Sequence, residues 1–69
     1  MADERVHLAQ ADRHIAGTKQ QIRKQEQLIE RLSAKGYPIE DAEDFLSALV
    51  GTLSAFERHR LLILDRLQA

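Results

Sequence analysis

The sequence predicts an all-α fold: an antiparallel two-helix hairpin of coiled-coil type that dimerises into a four-helix bundle. Three observations carry this expectation. Strong breaker signals occur at one place, Lys35-Gly36-Tyr37-Pro38, close to the midpoint of the chain. Apolar residues recur at heptad spacing on both sides of it. At 69 residues with no cysteine, the chain is too short to draw enough stability from one core and has no disulfide to supplement it. The chain therefore reads as a single helical hairpin over residues 1–69, with helix 1 at about 3–35, a turn at 36–38 and helix 2 at about 39–67.

Helix 1 is expected from Leu8, Ile15, Ile22 and Ile29 at intervals of seven, each followed three residues later by Ala11, Thr18, Gln25 or Leu32. This is an a/d stripe, and Thr18 and Gln25 make it partly polar. The remaining surface is charged or glutamine-rich, as in Lys19-Gln20-Gln21 and Arg23-Lys24-Gln25-Glu26-Gln27. In the turn, Gly36 suits the left-handed residue that closes a helix, with Lys35 facing the negative end of the helix dipole. Pro38 suits the first position of the next helix, whose positive end receives Glu40, Asp41, Glu43 and Asp44. A connection this short makes the helices antiparallel neighbours.

Helix 2 repeats the seam with Ala42, Leu46, Leu49, Leu53, Phe56, Ile63 and Leu67, interrupted by Arg60, and adds Phe45, Val50, Leu61, Leu62 and Leu64 outside it. This apolar face is wider than one helix covers. A second copy on helix 2 closes it, and a two-fold homodimer is the commonest closed assembly. Phe45, Leu46, Leu49, Val50, Leu53, Phe56, Ile63, Leu64 and Leu67 are the expected interface between copies. Another helical protein is the alternative occupant.

With 10 basic and 11 acidic side chains, the net charge of -1 gives no global attraction to nucleic acid or to an anionic membrane. The longest apolar run, Leu61-Leu62-Ile63-Leu64, is far shorter than the roughly 20 residues a bilayer span requires. The N-terminus, Met1-Ala2-Asp3-Glu4-Arg5, lacks the basic and apolar regions of a secretory signal, so the expected location is the cytoplasm.

The polar residues that interrupt the seam form one constellation. A turn centred near residue 37 sets His14 close to Arg60 and Ile15 close to His59, so Arg13-His14 meets His59-Arg60, with Asp12 and Glu57 on adjacent turns. Arg60 occupies an a position and must be paired or reach solvent along its stem, with Asp12 or Glu57 as its expected partner. Such a layer fixes register and oligomer state in coiled coils. The alternatives are an anion or ligand pocket lined by Arg13, His14, His59 and Arg60, and a dimer switched by its histidines.

Catalysis finds no footing. Ser33, Ser47 and Ser54 lie in no nucleophile motif. Glu4-Arg5-Val6-His7 has the Glu-x-x-His spacing of di-iron bundles, but the equivalent position before His59 is Phe56, so neither metal nor other cofactor is expected. Nucleic acid binding rests on Lys19, Arg23, Lys24, Arg31 and Lys35 of helix 1. Glu26 and Glu30 interleave with them at ion-pair spacing, and no aromatic residue is present there to stack on a base.

The run Ala11-Asp12-Arg13-His14-Ile15-Ala16, continued by Ile22, Gln25, Ile29, Leu32 and Gly36, then Phe56, His59-Arg60 and Ile63-Leu64, resembles a group of small uncharacterised helical-hairpin proteins of rhizobia and related alphaproteobacteria. The resemblance covers nearly the whole chain. It implies a bacterial cytoplasmic protein with a shared hairpin and implies no chemistry. The expected function is that of a non-enzymatic, oligomerising protein acting through protein–protein interaction. The alternatives are a small regulator binding nucleic acid through helix 1 and a ligand-binding bundle.

Overall fold

The computed structural model describes residues 3–68. They form two helices, α1 (Glu4–Ala34) and α2 (Glu40–Gln68), packed along each other. Met1, Ala2 and Ala69 lie outside the described residues, so the reading of the extreme N-terminus concerns residues partly outside them. The molecule is a rod of 53 × 16 × 14 Å, a length that follows from a helix of 31 residues at about 1.5 Å per residue with its turn.

Local chemistry sets the ends. Asp3 is the N-cap of α1, and its Oδ1 accepts the backbone N–H of Arg5 at 2.9 Å. At the other end Lys35 caps the helix and Gly36 takes φ +76°, in the left-handed region where an L side chain is strained. Tyr37 donates its N–H to Leu32 O at 2.9 Å and Gly36 donates to Ser33 O at 3.0 Å, the two bonds of a Schellman motif. The chain reverses within two residues of the helix end.

α2 starts at Glu40, one residue after the expected start at about 39. Glu43 donates its N–H to Ile39 O at 2.8 Å, which makes Ile39 the capping position and Glu40 the first helical residue. Pro38 precedes the cap instead of opening the helix. Ile39 has no side-chain oxygen to offer the free N–H groups, so this end relies on the first-turn carboxylates Glu40, Asp41 and Glu43.

The expected seam of α1 is the face that packs. Ala11 and Thr18 are buried, and Leu8, Ile15, Ile22, Gln25, Ile29 and Leu32 are half-buried. Opposite them Leu49 and Ile63 are buried, with Ala42, Leu46, Leu53, Phe56 and Arg60 half-buried. The two polar d positions are satisfied differently. Thr18 Oγ1 donates back to His14 O at 2.8 Å within its own helix. Gln25 Nε2 donates across the seam to Ala42 O at 2.9 Å, tying α1 to the first turn of α2.

The seam is thin. Among the described residues only three apolar side chains are buried, Ala11, Leu49 and Ile63, and Ile63 is the one large side chain that is almost wholly enclosed. Of the surplus expected on α2, Phe45, Val50, Leu61 and Leu62 are exposed and Leu64 is half-buried. Leu67, assigned to the seam, is also exposed, because it lies in the last turn of α2 where few residues of α1 remain to cover it. The exposed large apolar side chains run along the rod: Val6, Leu61, Leu62 and Leu67 toward the open end, Val50 in the middle, and Phe45 and Tyr37 near the turn.

Candidate interaction faces and the polar flanks

In an antiparallel pair the e positions of the two helices share one flank of the seam and the g positions share the other. The expected polar constellation is divided between these flanks. On the e flank Asp12, Lys19 and Glu57 line a depression of about 360 Å³ with Ile15, Arg60 and Leu61. Arg60 has the partner its a position demands. Its Nε donates to Asp12 Oδ1 at 2.6 Å, with the two side chains 36% and 53% exposed. The arginine stem crosses the edge of the seam and its head reaches water, so this pair is solvated and contributes about 0–1 kcal/mol. Glu57, the other expected partner, lines the same depression without pairing to Arg60.

On the g flank His14 packs on Phe56, with ring centroids 5.1 Å apart and planes inclined by 33°. His14 and His59 line a depression of about 390 Å³ with His7, Gln10, Ala11, Phe56 and Arg66. Arg13 lines an adjoining, more open hollow with Gly17, Thr18 and Gln21, and His14 and Phe56 border both. The facing pairs thus differ from those a turn centred at Tyr37 predicts. Asp12 meets Arg60 and His14 meets Phe56, because the reversal is made at Lys35 and Gly36, which moves each partner toward the start of α2.

Gln10 and Arg66 on the g flank escaped the sequence reading, and His7 entered it only through the Glu-x-x-His spacing, although a signal was present. His7 and His14 are seven residues apart, and so are His59 and Arg66, so both pairs recur on the g edge. Glu4 closes the end of this flank. Its Oε2 is buried without a hydrogen bond and lies 3.6 Å from His7 Nδ1 and 3.9 Å from Arg66 Nη1, a charge contact across the open end of the hairpin.

The residues expected at an interface between copies fall into two groups. Leu49 and Ile63 are buried against α1, and Leu46, Leu53, Phe56 and Leu64 are half-buried. Phe45, Val50 and Leu67 face solvent, together with Leu61 and Leu62. Leu61 and Leu62 stood outside the expected interface. The signal for them was the run Leu61–Leu64, which at about 100° per residue wraps apolar surface around most of the helix, farther than one partner helix can cover.

The basic residues of α1 also depart from expectation. Among the described residues, no acidic side chain lies within 4 Å of Lys19, Arg23, Lys24, Arg31 or Lys35, so the pairs with Glu26 and Glu30 are not formed. No group of three or more His, Asp or Glu side chains is placed to hold a metal ion among the described residues. No described helix is long and apolar enough to cross a membrane. Comparison with known protein families, curated proteins and solved structures finds no match to this chain.

Proposed function

We propose that the protein is a non-enzymatic interaction module that works as a homodimer, two hairpins joined as a four-helix bundle through the exposed apolar surface of α2. The supporting observation is the area left open. The chain exposes 5378 Å², whereas a compact monomer of 7.9 kDa exposes roughly 4,400 Å² on the scaling of surface with mass. The excess of roughly 1,000 Å² exceeds the roughly 800 Å² that each partner withdraws in a standard interface. The rod shape creates the excess, and the placement of Val50, Leu61, Leu62 and Leu67 makes part of it apolar. A second copy related by a two-fold axis sets like patches against each other and needs no second gene product. Its location in this proposal is the cytoplasm.

Sedimentation equilibrium tests the assembly. The expected result is a mass of two chains at micromolar concentration, with unfolding coupled to dissociation. A stably folded monomer there would overturn the reading.

A second reading is favoured by one observation: among the described residues, Lys19, Arg23, Lys24 and Arg31 of α1 and Lys35 at its C-cap have no acidic partner. It makes the protein a regulator that binds nucleic acid through Lys19, Arg23, Lys24, Arg31 and Lys35. Binding of duplex or single strand that weakens steeply with salt supports it, and no binding at low salt removes it.

A further inference from the structure

On the e flank, α1 carries a charge at every e position but its last: Arg5, Asp12, Lys19 and Glu26, seven residues apart and alternating in sign. All four are exposed. Within the hairpin they find few partners. Among the described residues Lys19 and Glu26 have no ion pair, Arg5 has only a 3.8 Å contact with Asp3, and Asp12 gives one carboxylate oxygen to Arg60. The e and b positions of α2 on the same flank carry Val50 and Leu61, both exposed, beside the small Ser47 and Ser54. This stripe lies roughly 100° around α2 from the seam, close to the angle at which a helix in a four-helix bundle meets its second neighbour.

We infer that the second copy packs on the e flank, antiparallel, about a two-fold axis perpendicular to the helices and level with Ile15–Ala16 of α1 and Ala55–Phe56 of α2. The inference rests on the dimer proposed above and decides its face and register. Such an axis reverses the order of the e column, so Arg5 faces Glu26 of the second copy and Asp12 faces its Lys19, each pair occurring twice. An axis parallel to the helices would set every charge against its own equivalent. The alternation of sign thus selects the antiparallel arrangement. Arg5 and Glu26 share their midpoint with Asp12 and Lys19, between Ile15 and Ala16. On α2, the axis that sets Val50 against Leu61 of the second copy passes between Ala55 and Phe56. The hairpin itself makes these two midpoints level. Asp12 meets Arg60 and His14 meets Phe56, and about the same number of residues further along each helix Ile15–Ala16 comes beside Ala55–Phe56. One axis therefore serves both helices, although charge fixes it on α1 and apolar side chains fix it on α2. It also sets Glu57 against Ser54 and Glu43 against Gln68, so no like charges meet. The opposite flank has no such match, since the g and c positions of α1 carry Lys24 and Arg31 and no carboxylate. Apolar contact holds the copies together, and the ion pairs, weak at a solvated edge, fix orientation and register.

The test uses the full chain and sedimentation equilibrium at low and high salt. Arg5→Glu and Glu26→Arg, both at exposed positions, each bring like charges together at two places in the dimer. Each is expected to raise the dissociation constant at least about tenfold at low salt and less at high salt, and the two combined in one chain are expected to restore it to within about threefold of the wild type. Leu61→Glu is expected to give monomers, and Leu62→Glu, at a c position, to keep the dimer. The charge exchange still decides the matter if Leu61→Glu loses its fold along with its partner. A dimer that survives Leu61→Glu overturns the inference and leaves the dimer standing, and its loss in Leu62→Glu instead places the interface on the g flank. Single charge reversals without effect, or a double variant no tighter than the singles, overturn the antiparallel register. A monomeric wild-type chain removes the dimer and this inference with it.

Discussion

Replacing Leu61 and Ile63 by alanine, one at a time, separates the core of the hairpin from the surface it offers to a second copy. Each substitution deletes three carbons, so the chemistry is matched and only the surroundings differ. Ile63 is 1% exposed, and its truncation loses about 2.4 kcal/mol of transfer free energy plus a cavity contribution, for about 3–4 kcal/mol. Leu61 is 63% exposed in the single hairpin, so about a third of that transfer value is at stake there and the cost is under about 1 kcal/mol. Covered by a second copy, Leu61 becomes a buried leucine and the same truncation costs about 2–3 kcal/mol per chain. Urea unfolding followed by circular dichroism at two protein concentrations tenfold apart reads both quantities. A folded dimer in equilibrium with unfolded chains gains about 1.4 kcal/mol of apparent stability per tenfold increase in concentration, and Leu61→Ala is expected to weaken association as well. A cost below about 1 kcal/mol for Leu61→Ala, with stability independent of concentration, refutes the reasoning.

Arg60→Leu removes a half-solvated pair and fills an a position with an apolar side chain, so stability is expected to hold or rise by about 1 kcal/mol while the oligomer number is free to change; urea midpoints and sedimentation read the two effects. Gly36→Ala places an L side chain at φ +76° and is expected to cost about 1–2 kcal/mol, measured by the same unfolding experiment, with helix content retained. Gly51→Ala adds a Cβ that meets nothing within 4 Å on the outer face of α2, so it is expected to stabilise by about 0.5–1 kcal/mol; destabilisation instead would place another helix close against Gly51.

Much of the architecture was legible in the residues because short-range rules decide it. The heptad Leu8, Ile15, Ile22 and Ile29 defines a face whatever packs on it, and that face is half-buried in the structure. Gly36 declares the reversal because few other residues accept its conformation. The demand of Arg60 for a carboxylate was equally legible, and Asp12 was one of the two candidates. The candidate sites were less so. Whether Arg13-His14 meets His59-Arg60 depends on where the chain turns, and a shift of the turning point from Tyr37 to Lys35 and Gly36 exchanges Arg60 for Phe56 opposite His14. A pairing error of a few residues largely preserves the seam, since most seam positions are apolar, yet it rearranges the polar contacts at the edges. The expected pairs of Glu26 and Glu30 with their basic neighbours failed for another reason: on a solvated face such a pair gains only a few tenths of a kcal/mol, too little to hold two long side chains in one geometry.

By itself the sequence determined that this chain is helical, where it reverses, and which face of each helix is apolar, because propensity, capping and periodicity act over one or two turns. Only the tertiary structure decided which polar residues share a flank and how little of the apolar surface one hairpin encloses, because both follow from the register between distant helices. Among the described residues, three buried apolar side chains are what the two helices close over. Phe45, Val50, Leu61, Leu62 and Leu67 of α2 are left exposed, since two cylinders in contact cover one stripe each and α2 is apolar over more than a stripe.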